Sequence, residues 1–378
     1  MAGIQFLIQR KNMTPKFLKR IESLQKLMNQ KGIDLLVVNN RENLIYLTGL
    51  LEIECMAILI PKDSESMAVT LSQDAEYVQD KAGIKTIGYH FPKESLGSKL
   101  VELLSKSARK VSSIGFERYF VDYEVYEKLR EVVNERIFVN ASDIFYKARS
   151  VKDASEIELI KKASDIVLMG VDAAIQTIKP GVSELDVLAE AEYSMLKAGS
   201  YGSSFRPQIA SGNRCLITHP VATDKKIQAD ETVIVSLGST YQGYCSKISR
   251  TVYIGKIDDE SKKVHDMLTT IQKRLIETVK PGISSDEIYS SAEKILKDFN
   301  YKRNFLEVLG YGIGIRQSEF YPIIGKARKD LLEPNMVISL LLPVVYGSDN
   351  KGFKLTDIIW IKDNNNEVLT KYPYEVSC

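Results

Sequence analysis

The chain has 378 residues, 44% of them apolar and 26% charged, with 51 basic against 49 acidic side chains and a formal charge of +2. That length suits two domains better than one core, and the near balance of charge argues against a nucleic-acid binder held by phosphate contacts. Cys55, Cys215, Cys245 and Cys378 stand without CxxC or CxxH spacing, so they imply neither a zinc knuckle nor a disulfide framework, and a reducing, cytoplasmic compartment is expected.

The N-terminal MAGIQFLIQRKN holds too short an apolar run for a signal peptide, and no later segment is long enough to span a membrane. Phe17 to Gln30 has apolar residues at helical spacing, and Lys31-Gly32 stops it. IDLLVV reads as a buried strand. It is followed by CMAILI, ESMAVTL, the helical LVELLSKS, SSIGFE and the helical YEVYEKLREVV. This alternation implies an α/β domain closing near Tyr146. The charged ARSVKDASEIELIKK then opens an amphipathic helix reaching about Thr177, which puts the junction within 147–153 and the domains at 1–149 and 150–378.

The second domain contains a duplication. TIKPGVSELDVLAEAEYSML from Thr177 returns as TVKPGISSDEIYSSAEKILK from Thr278, without gaps, at an offset of 101 residues. In each copy a helix ends, Pro-Gly turns the chain, and Ser183 or Ser284 caps the next helix. Two αβ halves packed pseudo-symmetrically are expected, with a cleft between them.

VIVSLGSTYQGYCSKISRTVYIG, Val233 to Gly255, reads as a hairpin. Val233, Val235 and Leu237 alternate with Ile234, Ser236 and Gly238, and the turn is read as centred on Tyr241-Gln242 with Gly243 to relax it. That register pairs Ser236 with Lys247. Opposed residues keep their Cβ atoms about 4.5–5.5 Å apart, so hydroxyl and ammonium are expected to share one small volume. A slip of one residue would send one of them to the other face.

These phrases, with RENLIYLTGL, KARSVKDASEIELIKKA, ASGNRCLITHPVATDKKIQADETVIVSLG, LGYGIGIRQSEFYP, PNMVISLLLP and GFKLTDIIWI, resemble the creatinase/aminopeptidase P/methionine aminopeptidase superfamily over nearly the whole chain. The resemblance implies an N-terminal creatinase-like α/β domain followed by a pseudo-symmetric α+β domain of the pita-bread fold. In active peptidases of that superfamily two Asp, one His and two Glu hold two divalent ions, which generate and orient a hydroxide. Carried over position by position, the first Asp becomes Ser236, the second Lys247 in SKISRT, and the His Tyr311 in GYGIGI. The first Glu becomes Leu341 in MVISLLLP, which has one extra residue before Pro343, and the second becomes Thr356 in GFKLTD. The resemblance therefore implies a family member without the dinuclear metal and without any cofactor. Asp357 follows Thr356 on a strand and is expected to face the other way.

By the same likeness His219, in ITHP, matches a His that assists catalysis without ligating metal, and creatinase works without metal through it as acid and base. Arg250 and Glu319 match positions near the substrate, or else form structural ion pairs. Lys247 either fills the former metal space and bonds to Ser236, Tyr311 or Glu319, or is neutral and activates Ser236 as a nucleophile. His90 and His265 read as ordinary surface or boundary residues. VSLGSTYQGYCSKISRT and GYGIGIRQSEF also resemble the metal-free peptidase-like domain of the FACT histone chaperone large subunit. This sequence stops at Cys378 without counterparts of that chaperone's other domains.

The expected function is a pseudopeptidase binding a peptide or small amide, as a cytoplasmic homodimer without nucleic-acid or membrane partners. The alternatives are a metal-independent creatinase-type hydrolase using His219 and a residual Xaa-Pro peptidase.

Overall fold

The structure is a computed structural model that describes residues 13–106, 111–119, 122–134, 137–299, 307–346 and 352–378. The N-terminal stretch considered as a leader, residues 1–12, lies outside them. Among the described residues no helix is long and apolar enough to cross a membrane. The chain divides into two compact units, Met1–Arg149 and Ser150–Cys378.

The first unit runs α1 (Pro15–Lys31), β1 (Leu35–Val38), α2 (Arg41–Thr48), β2 (Met56–Pro61), β3 (Met67–Leu71), α3 (Ala75–Ala82), β4 (Lys85–Tyr89), α4 (Leu96–Lys106), β5 (Ile114–Phe116), α5 (Tyr123–Val132), β6 (Phe138–Asn140) and α6 (Ser142–Ser150). Helix α1 stops where Gly32 takes a left-handed φ of 67°, a conformation glycine adopts without a Cβ clash. The strands form a sheet in the order β4-β3-β2-β1-β5-β6 among the described residues. All four residues of β1 are buried, as a strand covered on both faces requires. RENLIYLT is helix α2, started by the Asn40 side chain, which accepts from the Asn43 N–H. Hydrophobic patterning did not single this helix out, because most of its residues are buried rather than one stripe.

The second unit runs α7 (Ala154–Thr177), α8 (Glu184–Lys197), β7 (Gln208–Ser211), β8 (Thr232–Tyr241), β9 (Tyr244–Tyr253), α9 (Asp259–Thr278), α10 (Ser285–Asp298), β10 (Val308–Gly312), β11 (Glu319–Gly325), β12 (Val337–Tyr346), β13 (Gly352–Trp360), β14 (Glu367–Val368) and β15 (Val376–Ser377). Asp153 and Glu156 close a capping box that starts α7 at the charged stretch. The duplicated segments build α8 and α10, and each starts with a capping box, Ser183 with Asp186 and Ser284 with Glu287. The likeness extends to their surroundings. Gly181 N–H donates to the Ile227 carbonyl, and Gly282 N–H donates to the Leu332 carbonyl. Replacing either cap serine with alanine, Ser183→Ala or Ser284→Ala, is expected to cost about 0.5–2 kcal/mol, read as a lowered denaturant midpoint at unchanged slope.

Both halves share one sheet, ordered β11-β10-β12-β13-β9-β8-β7, with β14 on β13 and β15 on β9. Its helix-side face is apolar in each half. Val233, Val235, Leu237, Ile248 and Val252 pack with α7 and α8, while Ile338, Leu340, Leu342, Leu355 and Ile359 pack with α9 and α10. Alternation along each strand sends the residues between these to the opposite face, and the candidate site lies there.

Candidate functional site

The register of the β8–β9 hairpin is decided by its turn. Gln242 and Gly243 both have positive φ, 45° and 83°, so they form a two-residue connection of the primed kind that suits the twist of a hairpin. Tyr241 therefore pairs with Tyr244, Gly238 with Lys247, and Ser236 with Ser249. This corrects the direct pairing of Ser236 with Lys247, because the turn centres one residue later than the sequence reading placed it. Each partner moves by two, so Ser236 and Lys247 stay on one face as diagonal neighbours. Ser236 Oγ lies 2.8 Å from Ser249 Oγ and spends its hydrogen bond there. No bond joins it to Lys247, so the serine–lysine dyad is not formed.

Strand pairing places Leu341, Thr356, Ser249, Ser236 and Gln208 in one transverse row across β12, β13, β9, β8 and β7. Beside that row Tyr311, half-buried, pairs with Ser339 of β12. The extra residue before Pro343 appears as a bulge: three steps along β12, Leu342 to Val345, stand against two steps on β13, Leu355 to Phe353.

Lys247 is 5% exposed. Its Nζ donates to Gln317 Oε1 at 3.1 Å and Ser318 Oγ at 3.2 Å, partners on the segment after β10 and not the Ser236, Tyr311 or Glu319 considered from sequence. Cys245 N–H, donating to the Gly314 carbonyl, holds that segment against β9. Opposite Lys247, Gly238 has no room for a side chain: a Cβ there would stand 2.1 Å from Ser204 Oγ and 2.6 Å from the Phe205 ring. Burial, and then repulsion from Lys354, pushes the Lys247 ammonium down to about 7. Lys354, 8% exposed, is pushed down to about 8 by burial and donates to Gln208 Oε1 at 2.9 Å.

Two buried cations thus occupy one face, and among the described residues neither bonds to a carboxylate. Sequence reasoning missed Lys354. Its signal was its place two residues before Thr356 in GFKLTD, which puts both on one strand face. Gln208 gave no local signal, since its bond to Lys354 joins residues far apart in the chain. Two hydroxyls of the same face, Ser339 Oγ and Thr356 Oγ1, are buried without a hydrogen-bond partner among the described residues, an uncommon and costly state for a polar atom.

His219 is exposed, with Nδ1 3.4 Å from Gln208 Nε2. Arg250, considered for substrate binding, does not reach the site. It is 1% exposed and its Nη2 meets Asp357 Oδ1 at 2.7 Å. Its remaining donors go to the carbonyls of Ser249, Thr356, Tyr372 and Pro373. All five N–H donors of the guanidinium are used, leaving none for a ligand. Arg250 and Asp357 lie on the helix side of the sheet, where Gln272 of α9 also donates to Asp357. Glu319 is buried and accepts from the Arg316 N–H at 3.4 Å. His265 is a core residue, its Nδ1 2.9 Å from Tyr253 Oη, while His90 is exposed.

This arrangement sits on a recognisable chain. Residues 158–363 match the metallopeptidase family M24, and residues 20–151 match the creatinase/prolidase N-terminal domain. The chain belongs to the M24 metallopeptidase family. Among its M24 relatives is the Xaa-Pro dipeptidase of Pyrococcus furiosus, 30% identical over 95% of this chain and 99% of that protein. An Xaa-Pro dipeptidase structure from Bacillus anthracis superposes with a TM-score of 0.88 at 27% identity, covering 96% of this chain and 100% of that one. The prolidase of Pyrococcus horikoshii superposes with a TM-score of 0.85 at 28% identity, over 94% and 99%. The second unit is therefore the pita-bread domain of an M24 protein, and the first its creatinase-type companion.

Proposed function

We propose that this M24 protein is a pseudopeptidase that binds a peptide or small amide on the inherited face without dinuclear metal hydrolysis. The donor set carries this reading. Ser236, Lys247, Tyr311, Leu341 and Thr356 offer two hydroxyls, a phenol, an ammonium and an alkyl group. Divalent ions in proteins are held by carboxylates, imidazoles, thiolates and carbonyls. A buried ammonium repels a dication, and an alkyl group has no lone pair to give. Among the described residues, no three His, Cys, Asp or Glu side chains are grouped to hold an ion. These side chains do not fit a pair of divalent ions. The peptide class comes from the relatives, which are named as Xaa-Pro dipeptidases. A homodimer belongs to the same proposal and is checked by light scattering.

Elemental analysis of the purified protein is expected to find well below one equivalent of manganese, cobalt or zinc. Xaa-Pro dipeptides are expected to remain intact while raising the melting temperature by mass action. Stoichiometric metal whose chelation abolishes dipeptide cleavage would overturn the proposal. Turnover that survives chelators and disappears in His219→Ala would replace it with the creatinase-type reading.

A further inference from the structure

We infer that the face once suited to cations is an oxyanion site, in which Lys247 and Lys354, with the hydroxyls of Thr356 and Ser339, hold a carboxylate. Which molecule carries the carboxylate rests on the peptide-binding reading above; the anion site itself does not.

Two independent observations meet here. The first is the buried pair of lysines. Each is fixed by neutral acceptors, Lys247 by Gln317 and Ser318 and Lys354 by Gln208. The two lysines flank the row of Thr356 and Ser249, Lys354 level with Thr251 and Lys247 two residues beyond Ser249 the other way, and a buried ammonium keeps its proton only at a cost that an anion between them would offset. Neither has one within the described protein. An ammonium has three protons to donate, and the stated bonds use two on Lys247 and one on Lys354. Donors are left on both for a ligand.

The second observation is the orphaned pair of hydroxyls. Thr356 Oγ1 and Ser339 Oγ are shut away from water with no acceptor or donor among the described residues. Thr356 lies in the transverse row next to Ser249, whose own hydroxyl is taken by Ser236. Lys354 stands one pleat along the same strand face. A carboxylate between them would accept from the lysines and from these hydroxyls, and such charge-assisted bonds are the strong ones. Neutral side chains, Gln208, Ser236 and Ser249, complete the surroundings, so no protein acid competes for the two cations in that row.

The test uses the full chain in low-chloride buffer and reads melting temperature and calorimetric affinity. The probes are glycyl-proline, its C-terminal amide, and inorganic phosphate alone. The expected result is that glycyl-proline binds, that the amide binds at least about tenfold more weakly, and that Lys247→Met and Lys354→Met each lower the affinity about tenfold or more. Both variants remove an uncompensated buried charge, so they are expected to fold. If phosphate binds through the two lysines while the dipeptide does not, the oxyanion site stands and the peptide reading falls. If acid and amide bind equally, or binding survives both lysine variants, the oxyanion site is overturned while the peptide reading stands. Binding of neither dipeptide nor phosphate overturns it as well.

Discussion

Asp357→Ala is expected to lower the stability of the chain by about 3–5 kcal/mol, because it leaves a buried guanidinium without its counter-charge. Arg250 is 1% exposed and Asp357 0%, and they meet at 2.7 Å. Burial pushes the Asp357 carboxyl up, while Arg250, Gln272 and Thr370 pull it back. Removing the carboxylate also strips Gln272 Nε2 and Thr370 Oγ1 of their acceptor. The pair joins β9 to β13, where the duplicated halves meet in the sheet. Chemical denaturation measures the loss. A change below about 1 kcal/mol, the size typical of an exposed pair, would show that water reaches the guanidinium.

Lys247→Met is expected to act in the opposite direction and to stabilise the chain near neutral pH by on the order of a few kcal/mol. The ammonium falls from 10.5 in the free side chain to about 7 in the fold. Between those pH values the unfolded chain binds a proton that the folded chain has released. Stability therefore rises with pH across that window, and below about pH 7 the full penalty is present. Methionine has nothing to titrate, so the variant should lose that rise and converge on the wild type near pH 10.5. Denaturation midpoints at several pH values read this out. Parallel curves for the two proteins would mean that Lys247 keeps its solvation in the fold.

Much of the architecture is legible locally. The repeated Pro-Gly-x-Ser segments and the charged entry into α7 carry their own caps, so hydrogen bonds within a few residues set where those helices start. The site is legible only by face. Alternation tells which strand residues point together, but the β8–β9 partners depend on whether Tyr241 or Gln242 adopts positive φ, which the spacing of apolar residues does not encode. The contacts of Lys354 with Gln208, and of Lys247 with Gln317, arise because the sheet brings distant strands side by side. Arg250 illustrates the reverse case. Its motif position suggested the ligand, yet its parity relative to Ser249 on β9 sends it through the sheet to the helices.

The tight Gln242–Gly243 connection has a further consequence for how this chain tolerates insertions. A pair of residues added there would change which side chains stand opposite one another while leaving the same ones pointing inward. A single added residue, unless absorbed as a bulge, would rotate one strand half a pleat. Arg250 would then be driven onto the face that carries the candidate site and Lys247 into the hydrocarbon beneath the helices.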